Sequence, residues 1–310
     1  GPGPTATKEK AELASRRKRD STSRNCSRFR KAVVLLFLAA FSLAFVQLHI
    51  VFMSDPTERE AALAGREYGL CILWTVLSMI GTRRVAFLVR AVFPQYADTV
   101  FYFPKLGSSS LVALTIDDGV CRQCREDTSR SMLPEVLSLL RNHSAHATFF
   151  LCSNYVRSQD LARLIQEGHE LANHMPKDTT YAGMAKDAFR KALVETEKVV
   201  SRGDVPRRWF RAPQGYLTSS MREVLAERNY THVLGDCYAD DWAIRRPSFV
   251  ANLYLNMVQP GSVAIMHMPE HGFREHTLQT MQLFLEGLDD KGLVAGTVGM
   301  LAGSAAESPA

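Results

Sequence analysis

Residues 111–119, LVALTIDDG, limit the possible folds of the chain more than any other segment. They are an apolar run that ends in two carboxylates and a glycine. Such a run predicts a strand that is buried on both faces, as in a parallel sheet. Adjacent acids at the end of a buried strand disfavour folding, because they repel each other and lose hydration. The carboxyl end of a strand is also where α/β barrels and α/β sheets have their active sites. Neighbouring residues of a strand point to opposite sides of the sheet. We therefore predict separate functional roles for Asp117 and Asp118; the alternative is an exposed Asp-Asp-Gly turn.

The N-terminal part of the chain predicts a membrane anchor rather than a nucleic-acid-binding segment. The formal net charge of the 310 residues is +5, and much of it lies in residues 1–31. These basic, apolar-poor residues predict a disordered cytosolic tail. Residues 32–53 carry no formal charge, over a length sufficient to cross a hydrocarbon core of ~30 Å. We predict a single transmembrane signal anchor there; the alternative is a cleaved signal peptide, although no small-residue cleavage site follows closely.

The flanks of this anchor predict its orientation. The residues before it include Arg28, Arg30 and Lys31, and those after it include Asp55 and Glu58. Because basic flanks stay in the cytosol, we predict a single-pass type II protein whose remaining chain is lumenal (endoplasmic reticulum or Golgi) or extracellular. Residues 54–110 are predicted to be a stem, a membrane-proximal helix and a linker. The apolar run 68–80 predicts a helix that lies on the membrane or packs on the next domain, with a second span as the alternative.

Residues 111–302 are predicted to form the catalytic domain, and residues 303–310 a flexible tail. Short apolar runs alternate there with helical patterns, which predicts an α/β fold of parallel strands and crossover helices, a barrel rather than an open sheet, with 294–301 as the closing strand. Polar residues follow the predicted strands in five clusters: Asp117 with Asp118, His174 with Asp178, Arg211, Asp241 with Trp242, and His267. Because the carboxyl ends of parallel strands converge on one face, we expect one site.

These clusters resemble, in order, the five motifs of the NodB-homology polysaccharide deacetylases, carbohydrate esterase family 4. The matching segments are 115–119 (TIDDG), 168–174 (GHELANH), 210–215 (FRAPQG), 241–242 (DW) and 265–267 (IMH). The resemblance covers roughly residues 112–301, and the ordered set is far more specific than any one motif. It implies a distorted (β/α) barrel that removes acetyl groups from N-acetylglucosamine units.

The resemblance also implies a role for each residue by its motif position. The roles are catalysis by Asp117 (general base, oriented by Arg211) and His267 (general acid, oriented by Asp241), metal binding by Asp118 and His174, and substrate binding by Pro213, Gln214 and Trp242. Amide hydrolysis needs an activated water, a stabilised oxyanion and a proton for the departing amine. Arg211 would keep Asp117 ionised, and Asp241 would raise the pKa of His267. The backbone N–H of Gln214 would donate to the oxyanion.

Two positions depart from the family pattern. Asp178 stands where a second metal-binding histidine is usual, so we predict a ligand set of Asp118, His174 and Asp178. Three protein ligands with open positions suit catalytic Zn²⁺, the expected cofactor, and the second carboxylate also admits Mn²⁺ or Co²⁺. Gln214 stands where an aromatic residue is usual. Its backbone donor is retained, so we expect only the groove wall to change.

The cysteines and glycosylation acceptors agree with a lumenal domain. Cys121 and Cys124 directly follow the first motif, and a local disulfide is favoured there over a redox pair or half a zinc site. Cys152 and Cys237 also fall near predicted strand ends, which leaves cross-links among the four cysteines open. The acceptor asparagines on the predicted lumenal side are Asn142 and Asn229.

The predicted function is metal-dependent hydrolysis of N-acetyl groups from an N-acetylglucosamine-containing glycan, of the chitin or chitooligosaccharide kind, with release of acetate. The predicted partners are this glycan and the membrane, with no nucleic acid. One alternative is a catalytically silent, membrane-anchored glycan-binding protein. Another is a deacetylase of a non-polymeric N-acetyl sugar. The presence of base, acid and both orienting residues favours an enzyme, because a binding protein does not need them.

Overall fold

The computed structural model describes residues 56–104, 109–122, 124, 128–200 and 208–307, so the predicted tail and anchor at 1–53 lie outside the described residues. The chain divides into two compact units, Gly1–Gly69 and Leu70–Ala310. The helices are α1 Pro56–Ile80, α2 Thr82–Val92, α3 Leu133–Asn142, α4 Ser158–Gln166, α5 Lys186–Val200, α6 Ser219–Glu227, α7 Pro247–Met257, α8 His276–Asp290 and α9 Val298–Glu307. The strands are β1 Leu111–Asp117, β2 Thr148–Leu151, β3 Glu170–Asn173, β4 Arg208–Phe210, β5 Tyr230–His232, β6 Val263–His267 and β7 Val294–Gly296.

These strands form one parallel sheet in the order β5-β4-β3-β2-β1-β6, with β7 beside the start of β1. The sheet curls, and the segment after β5 reaches β6 through a parallel bridge between Cys237 and Ala264. The predicted parallel sheet with crossover helices is therefore confirmed. The predicted barrel is corrected in one respect: the sheet is a curled half-barrel, because β5 and β6 do not pair as strands. In the described chain, isolated bridges connect the two ends of the sheet, Cys237 with Ala264 directly and Val100 with Val233 and Tyr102 with Ser262 through the segment before β1.

The register of the sheet places the predicted catalytic residues side by side. Asp117, the last residue of β1, is level with His267, the last residue of β6. β3 and β4 are also paired in parallel, and His174 and Arg211 are the residues that directly follow them. Because all strands run in one direction, these four residues lie at one edge of the sheet.

Alternate residues of β1 pack on opposite sides of the sheet, as the strand period requires. Leu114 and Ile116 belong to the core that the sheet forms with α3, α7 and α8. Ala113 belongs to a separate cluster with Phe150, covered by Val298 of α9. All five side chains are fully buried, and burial of each large one contributes ~1.5–3 kcal/mol. The strand ends at Asp117, and the positive φ of 78° at Asp118 takes the chain out of this alternation.

The C-terminal region corrects two predictions. Residues 294–301 are not a single closing strand, because β7 ends at Gly296 and α9 begins at Val298. Most of the predicted flexible tail is helical, since α9 continues to Glu307 and buries Leu301. The end of α9 consists mostly of small residues, so the sequence shows no helical period of apolar side chains there. The helix α3 ends at the acceptor residue Asn142, and its buried residues follow a helical spacing.

Residues 56–92, within the predicted stem, form α1 and α2. The two helices meet at a bend of 90° at Gly81, whose φ of 93° favours glycine. Leu70, Cys71 and Trp74 of α1 pack against the core of the larger unit, so the helix predicted at 68–80 packs on the domain there. Among the described residues no single helix has the length and apolar content to cross a bilayer, and only the bent pair meets that test together.

Candidate active site

Asp117 and Arg211 form a buried ion pair at the centre of the site. A terminal nitrogen of the Arg211 guanidinium donates to Oδ1 of Asp117. Arg211 also donates to Oγ1 of Thr115 at 2.8 Å and to the carbonyl of Val233 at 3.0 Å. Its guanidinium carbon lies 4.0 Å from the ring centroid of Phe150. These contacts fix the guanidinium, so it can orient the Asp117 carboxylate as predicted.

His267 is held in its protonated form by Asp241. Nδ1 of His267 lies 2.7 Å from Oδ1 of Asp241, and the backbone N–H of His267 donates to Oδ2 at 2.8 Å. Burial acts to lower the pKa of His267, but the adjacent Asp241 carboxylate outweighs it and raises the pKa to about 9. Because Asp241 engages Nδ1, Nε2 is the nitrogen from which His267 can give up a proton.

Asp118 and His174 face each other across a gap that suits a cation. Nδ1 of His174 donates to the carbonyl of Arg211 at 2.9 Å, which in a neutral imidazole leaves the lone pair on Nε2. That Nε2 lies 3.6 Å from Oδ1 of Asp118, too far for a hydrogen bond. It is close to the ~3.3 Å between two ligand atoms that are each ~2.0–2.1 Å from a tetrahedral zinc ion. The backbone of Asp118 has a φ of 78°, a conformation that often accompanies functional sites.

Two arginines that the sequence did not single out hold the other oxygen of Asp118. Nη2 of Arg122 lies 2.5 Å from Oδ2 of Asp118 and 2.7 Å from Oδ2 of Asp178. Arg274 also donates to Oδ2 of Asp118. Burial acts to raise the pKa of Asp118, but the nearby histidine and arginine side chains hold that pKa well below its usual range. Asp118 and Asp178 thus already share one positive charge.

The predicted disulfide between Cys121 and Cys124 is confirmed, and Arg122 lies between its two cysteines. Cys152 and Cys237 are free and buried, so no cross-link joins them. Arg122 lies inside a cysteine pair directly after the strand that ends in Asp117, and this position could have marked it as a site residue from the sequence. Arg274 precedes α8 in an irregular loop and belongs to no motif, so sequence reasoning had no means of finding it.

One cavity of about 630 Å³ brings most of the predicted residues together. Those that line it are Asp117, Asp118, His174, Asp178, Arg211, Gln214, Trp242 and His267. Asp241 and Pro213 are buried beside lining residues. The backbone at Gln214 is left-handed, with φ 58° and ψ 13°, and its side chain is exposed. Trp242 donates from Nε1 to the hydroxyl of Tyr238 at 3.1 Å, which fixes its ring in the wall.

Comparison with known proteins assigns this arrangement to a family. Residues 106–233 match the family model described as polysaccharide deacetylase. The match contains Asp117, Asp118, His174 and Arg211 in the order expected from the motifs. The chain carries a polysaccharide deacetylase domain of the NodB-homology type.

The deacetylase domain has relatives of known name in bacteria. The chain is 26% identical over 185 residues to a peptidoglycan-N-acetylglucosamine deacetylase of Bacillus cereus, covering 58% of this chain and 64% of that protein. It is 24% identical over 205 residues to a chitooligosaccharide deacetylase of Sinorhizobium fredii, covering 62% of this chain and 92% of that protein. The chain thus spans less than two thirds of the first relative and most of the second.

Solved structures share the fold of the deacetylase domain. The Bc1960 peptidoglycan N-acetylglucosamine deacetylase superposes with a TM-score of 0.57 at 25% identity, covering 66% of this chain and 92% of that one. A pseudoenzyme of carbohydrate esterase family 4 from Bacillus anthracis superposes with a TM-score of 0.53 at 20% identity, covering 63% and 66%. The fold is therefore common to active and inactive proteins, and activity depends on the residues of the site.

Deacetylases of this family are metal-dependent, and the residues of this site suit a divalent ion. Ligand atoms of Asp118, Cys152 and His174 lie within 4.8 Å of one another, and all three residues are buried. Asp178, the predicted third ligand, shares the Arg122 guanidinium with Asp118. Asp118 and His174 with a third ligand form a donor set of the kind that holds catalytic zinc. Among the described residues the group within 4.8 Å contains Cys152 and not Asp178, so Asp178 as a ligand stays a prediction. Cys152 was not predicted as a ligand, because its place beside His174 depends on the packing of β2 against β3.

Proposed function

We propose that this deacetylase domain hydrolyses the N-acetyl groups of an N-acetylglucosamine-containing glycan and releases acetate. One observation carries the proposal: Asp117 with its arginine and His267 with its aspartate line the same cavity. A carboxyl group paired with an arginine and an imidazole paired with an aspartate, beside one cavity, can act as the base and the acid of one reaction. A protein that only binds glycan has no need of this arrangement.

The mechanism follows from the contacts of these two groups. Asp117, oriented by Arg211, accepts a proton from the attacking water. His267, protonated on Nε2, then gives a proton to the nitrogen of the departing amine. The backbone N–H of Gln214 is proposed to donate to the oxyanion. Its left-handed backbone belongs to the sparsely populated conformations that cluster at active sites.

The metal ion is proposed to be held by Asp118, His174 and Asp178. Bound there, a divalent ion such as Zn²⁺ lowers the pKa of water and polarises the amide carbonyl. The chain prepares this site in two ways. The Arg211 carbonyl orients the His174 ring so that Nε2 faces Asp118, and such outer contacts stabilise metal ligands. Arg122 and Arg274 hold the second oxygen of Asp118.

A silent glycan-binding protein remains the second candidate, because a pseudoenzyme with this fold is known. The test is the Asp117→Asn variant, which keeps the size of the side chain and removes its basicity. General-base catalysis is typically worth 10²–10⁴-fold, so acetate release from chitin oligomers should fall by at least about 100-fold. Zinc content should stay near that of the wild type. Equal acetate release by wild type and variant, with chitin oligomers bound by both, would establish the silent binder.

We also propose that residues 32–53 anchor the protein in the membrane with the deacetylase domain outside the cytosol. The support is the uncharged run and the charge difference of its flanks. Protease added to sealed microsomes should leave the region after residue 54 intact until detergent is added. Digestion of the domain without detergent contradicts this orientation.

A further inference from the structure

The cavity beside the catalytic residues has an apolar half that the proposed reaction does not use. Asp117 and His267 lie in its polar half, and the cavity volume is about 630 Å³. The apolar half is lined from α1 and α2 by Trp74, Leu77, Thr82, Val85, Ala86 and Val89, among which Thr82 is the only residue with a hydroxyl group. Cavities of this size hold small molecules with most of their surface buried. The ligand of this cavity therefore has to match both a polar and an apolar wall.

Two contacts make this apolar wall a fixed part of the domain. Nε of Arg83 in α2 lies 2.8 Å from Oδ2 of Asp236, whose side chain is fully buried. Nε1 of Trp74 in α1 donates to Oδ2 of Asp240 at 2.8 Å, and the Trp74 ring packs edge-on against Tyr238 at 5.1 Å. Because both contacts have defined geometry, the wall holds its position beside the catalytic residues.

A plain sugar chain matches this wall poorly. Sugar hydroxyl groups placed against Leu77, Val85 and Val89 lose their water and gain no hydrogen-bond partner from these side chains, which is unfavourable. An aliphatic group placed there gains free energy by leaving water. The two halves of the cavity together favour a sugar that is joined to an apolar group.

The outward sides of the same helices are apolar as well. The exposed fractions run from 42% to 81% for Ile72, Leu73, Val76, Met79 and Ile80 of α1 and Phe87 of α2. A helix that is apolar on both sides is typical of one with protein on one side and lipid on the other. Arg84 is exposed at the start of α2, and the uncharged run 32–53 ends shortly before α1 begins.

We propose that the substrate is a membrane-borne lipid that carries the N-acetyl sugar, with its aliphatic portion bound between α1 and α2 and the acetamide beside Asp117 and His267. This inference rests on the proposed deacetylation and names its substrate class. The outward apolar side of α1 and α2 rests on the lipid surface from which the substrate is taken.

The first test compares sugars that differ only in their apolar group. Binding of methyl and octyl N-acetylglucosaminide to the zinc-loaded full chain is measured by calorimetry, and acetate release is measured in parallel. We expect the octyl compound to bind at least tenfold more tightly and to show at least tenfold higher kcat/KM. Equal binding of the two overturns the lipid site. Tighter octyl binding without acetate release from either compound supports the lipid site and refutes the proposed function.

The second test changes the wall. Val85→Thr and Val89→Thr keep the size of the side chain and add a hydroxyl group, so the octyl-to-methyl ratio of affinities should fall at least fivefold. Val199→Thr is the matched control, because Val199 is exposed on α5 outside the cavity. An unchanged ratio in both wall variants overturns the assignment. If thermal unfolding shows that a wall variant does not fold, the wild-type comparison of methyl and octyl sugars decides.

The third test concerns the source of the substrate. Acetate release is compared between hexadecyl N-acetylglucosaminide held in phosphatidylcholine vesicles and the octyl compound dissolved below its micellar concentration. In a double variant with Met79→Gln and Phe87→Gln, the ratio of the vesicle rate to the dissolved rate should fall at least fivefold. An unchanged ratio means that the cavity takes dissolved amphiphiles and that the outward side meets another partner, which overturns the membrane-borne part of the proposal.

Discussion

Nδ1 of His267 lies 2.7 Å from Oδ1 of the fully buried Asp241. Burial acts to lower the pKa of the histidine, but the Asp241 carboxylate, with a smaller contribution from Asp118, raises it to about 9. A general acid acts in its protonated form. Since His267 stays protonated up to a pH near its raised pKa, kcat/KM for acetate release should fall as the pH rises through about 9.

In Asp241→Asn the pKa of His267 should return toward the ordinary value of about 6.5. The fall in kcat/KM on the alkaline side should therefore begin at a lower pH than in the wild type. The pH profile of kcat/KM checks this. Asp289→Asn is the matched control, because Asp289 contacts Nδ1 of His143 at the same distance of 2.7 Å at an exposed site. An alkaline limb of the Asp241→Asn profile that coincides with the wild type contradicts the role of His267.

The same pair should also contribute to stability over a defined pH range. The folded pKa of about 9 is above the unfolded value, so the contribution is fully present below a pH of about 6.5 and is lost as the pH rises through 9. Urea unfolding of Asp241→Asn and wild type should therefore differ more at pH 6 than at pH 10. A difference that grows with pH has the wrong sign for this pair.

Breaking the Asp117–Arg211 ion pair should lower the free energy of unfolding by more than breaking an exposed ion pair. Both side chains are almost fully buried, and removal of one partner from a buried pair costs about 3–5 kcal/mol. Arg211→Gln should lower the free energy of urea unfolding by about that amount, and adding Asp117→Asn should recover part of it. Arg222→Gln, which breaks a pair with the exposed Asp98, should cost no more than about 1 kcal/mol.

The third metal ligand can be identified with cobalt. We expect Asp178→Ala to lower metal content and activity together and Asp178→His to retain much of both. Asp178 offers a side-chain oxygen, whereas burial raises the pKa of the Cys152 thiol, which donates to the carbonyl of His174 at 3.3 Å and must first lose its proton. Cys152→Ser should then keep its metal, and the Co²⁺ protein should lack a sulfur-to-cobalt charge-transfer band. Such a band, lost in Cys152→Ser, would assign the third position to Cys152.

Gly235 allows the close approach of the chain segment after β5 to β6. A Cβ atom added at Gly235 would lie 2.5 Å from the carbonyl oxygen of Val263 and 2.7 Å from Cγ1 of Ile265. Gly235→Ala should therefore destabilise the domain by about 1–3 kcal/mol, as overpacking does. Gly183→Ala, where nothing lies within 4 Å of the added atom, is the control in thermal unfolding. Equal stability of the two variants would show that the backbone at Gly235 shifts to make room for the added atom.

The parallel sheet and the identity of the main site residues could be predicted from the amino-acid sequence alone. The run 111–119 had to be a buried strand, because its apolar residues are continuous and a glycine ends it. The alternation of runs predicted parallel strands, and parallel strands bring the residues that follow them to one edge. Asp117 and His267 could therefore be placed together from their strands, although they are far apart in the chain.

The other side chains that meet at that edge could be identified only from the packing of the folded domain. Arg274 contacts Asp118 from a loop that no local pattern marks, and Cys152 comes within ligand distance only through the pairing of β2 with β3. The apolar wall of α1 and α2 is a third example, since the sequence predicted a helix at 68–80 without showing which surface it covers. Local patterns report the secondary structure of a segment. Contacts between distant segments depend on strand order and on the reach of individual side chains, and these are set by the packing of the whole domain.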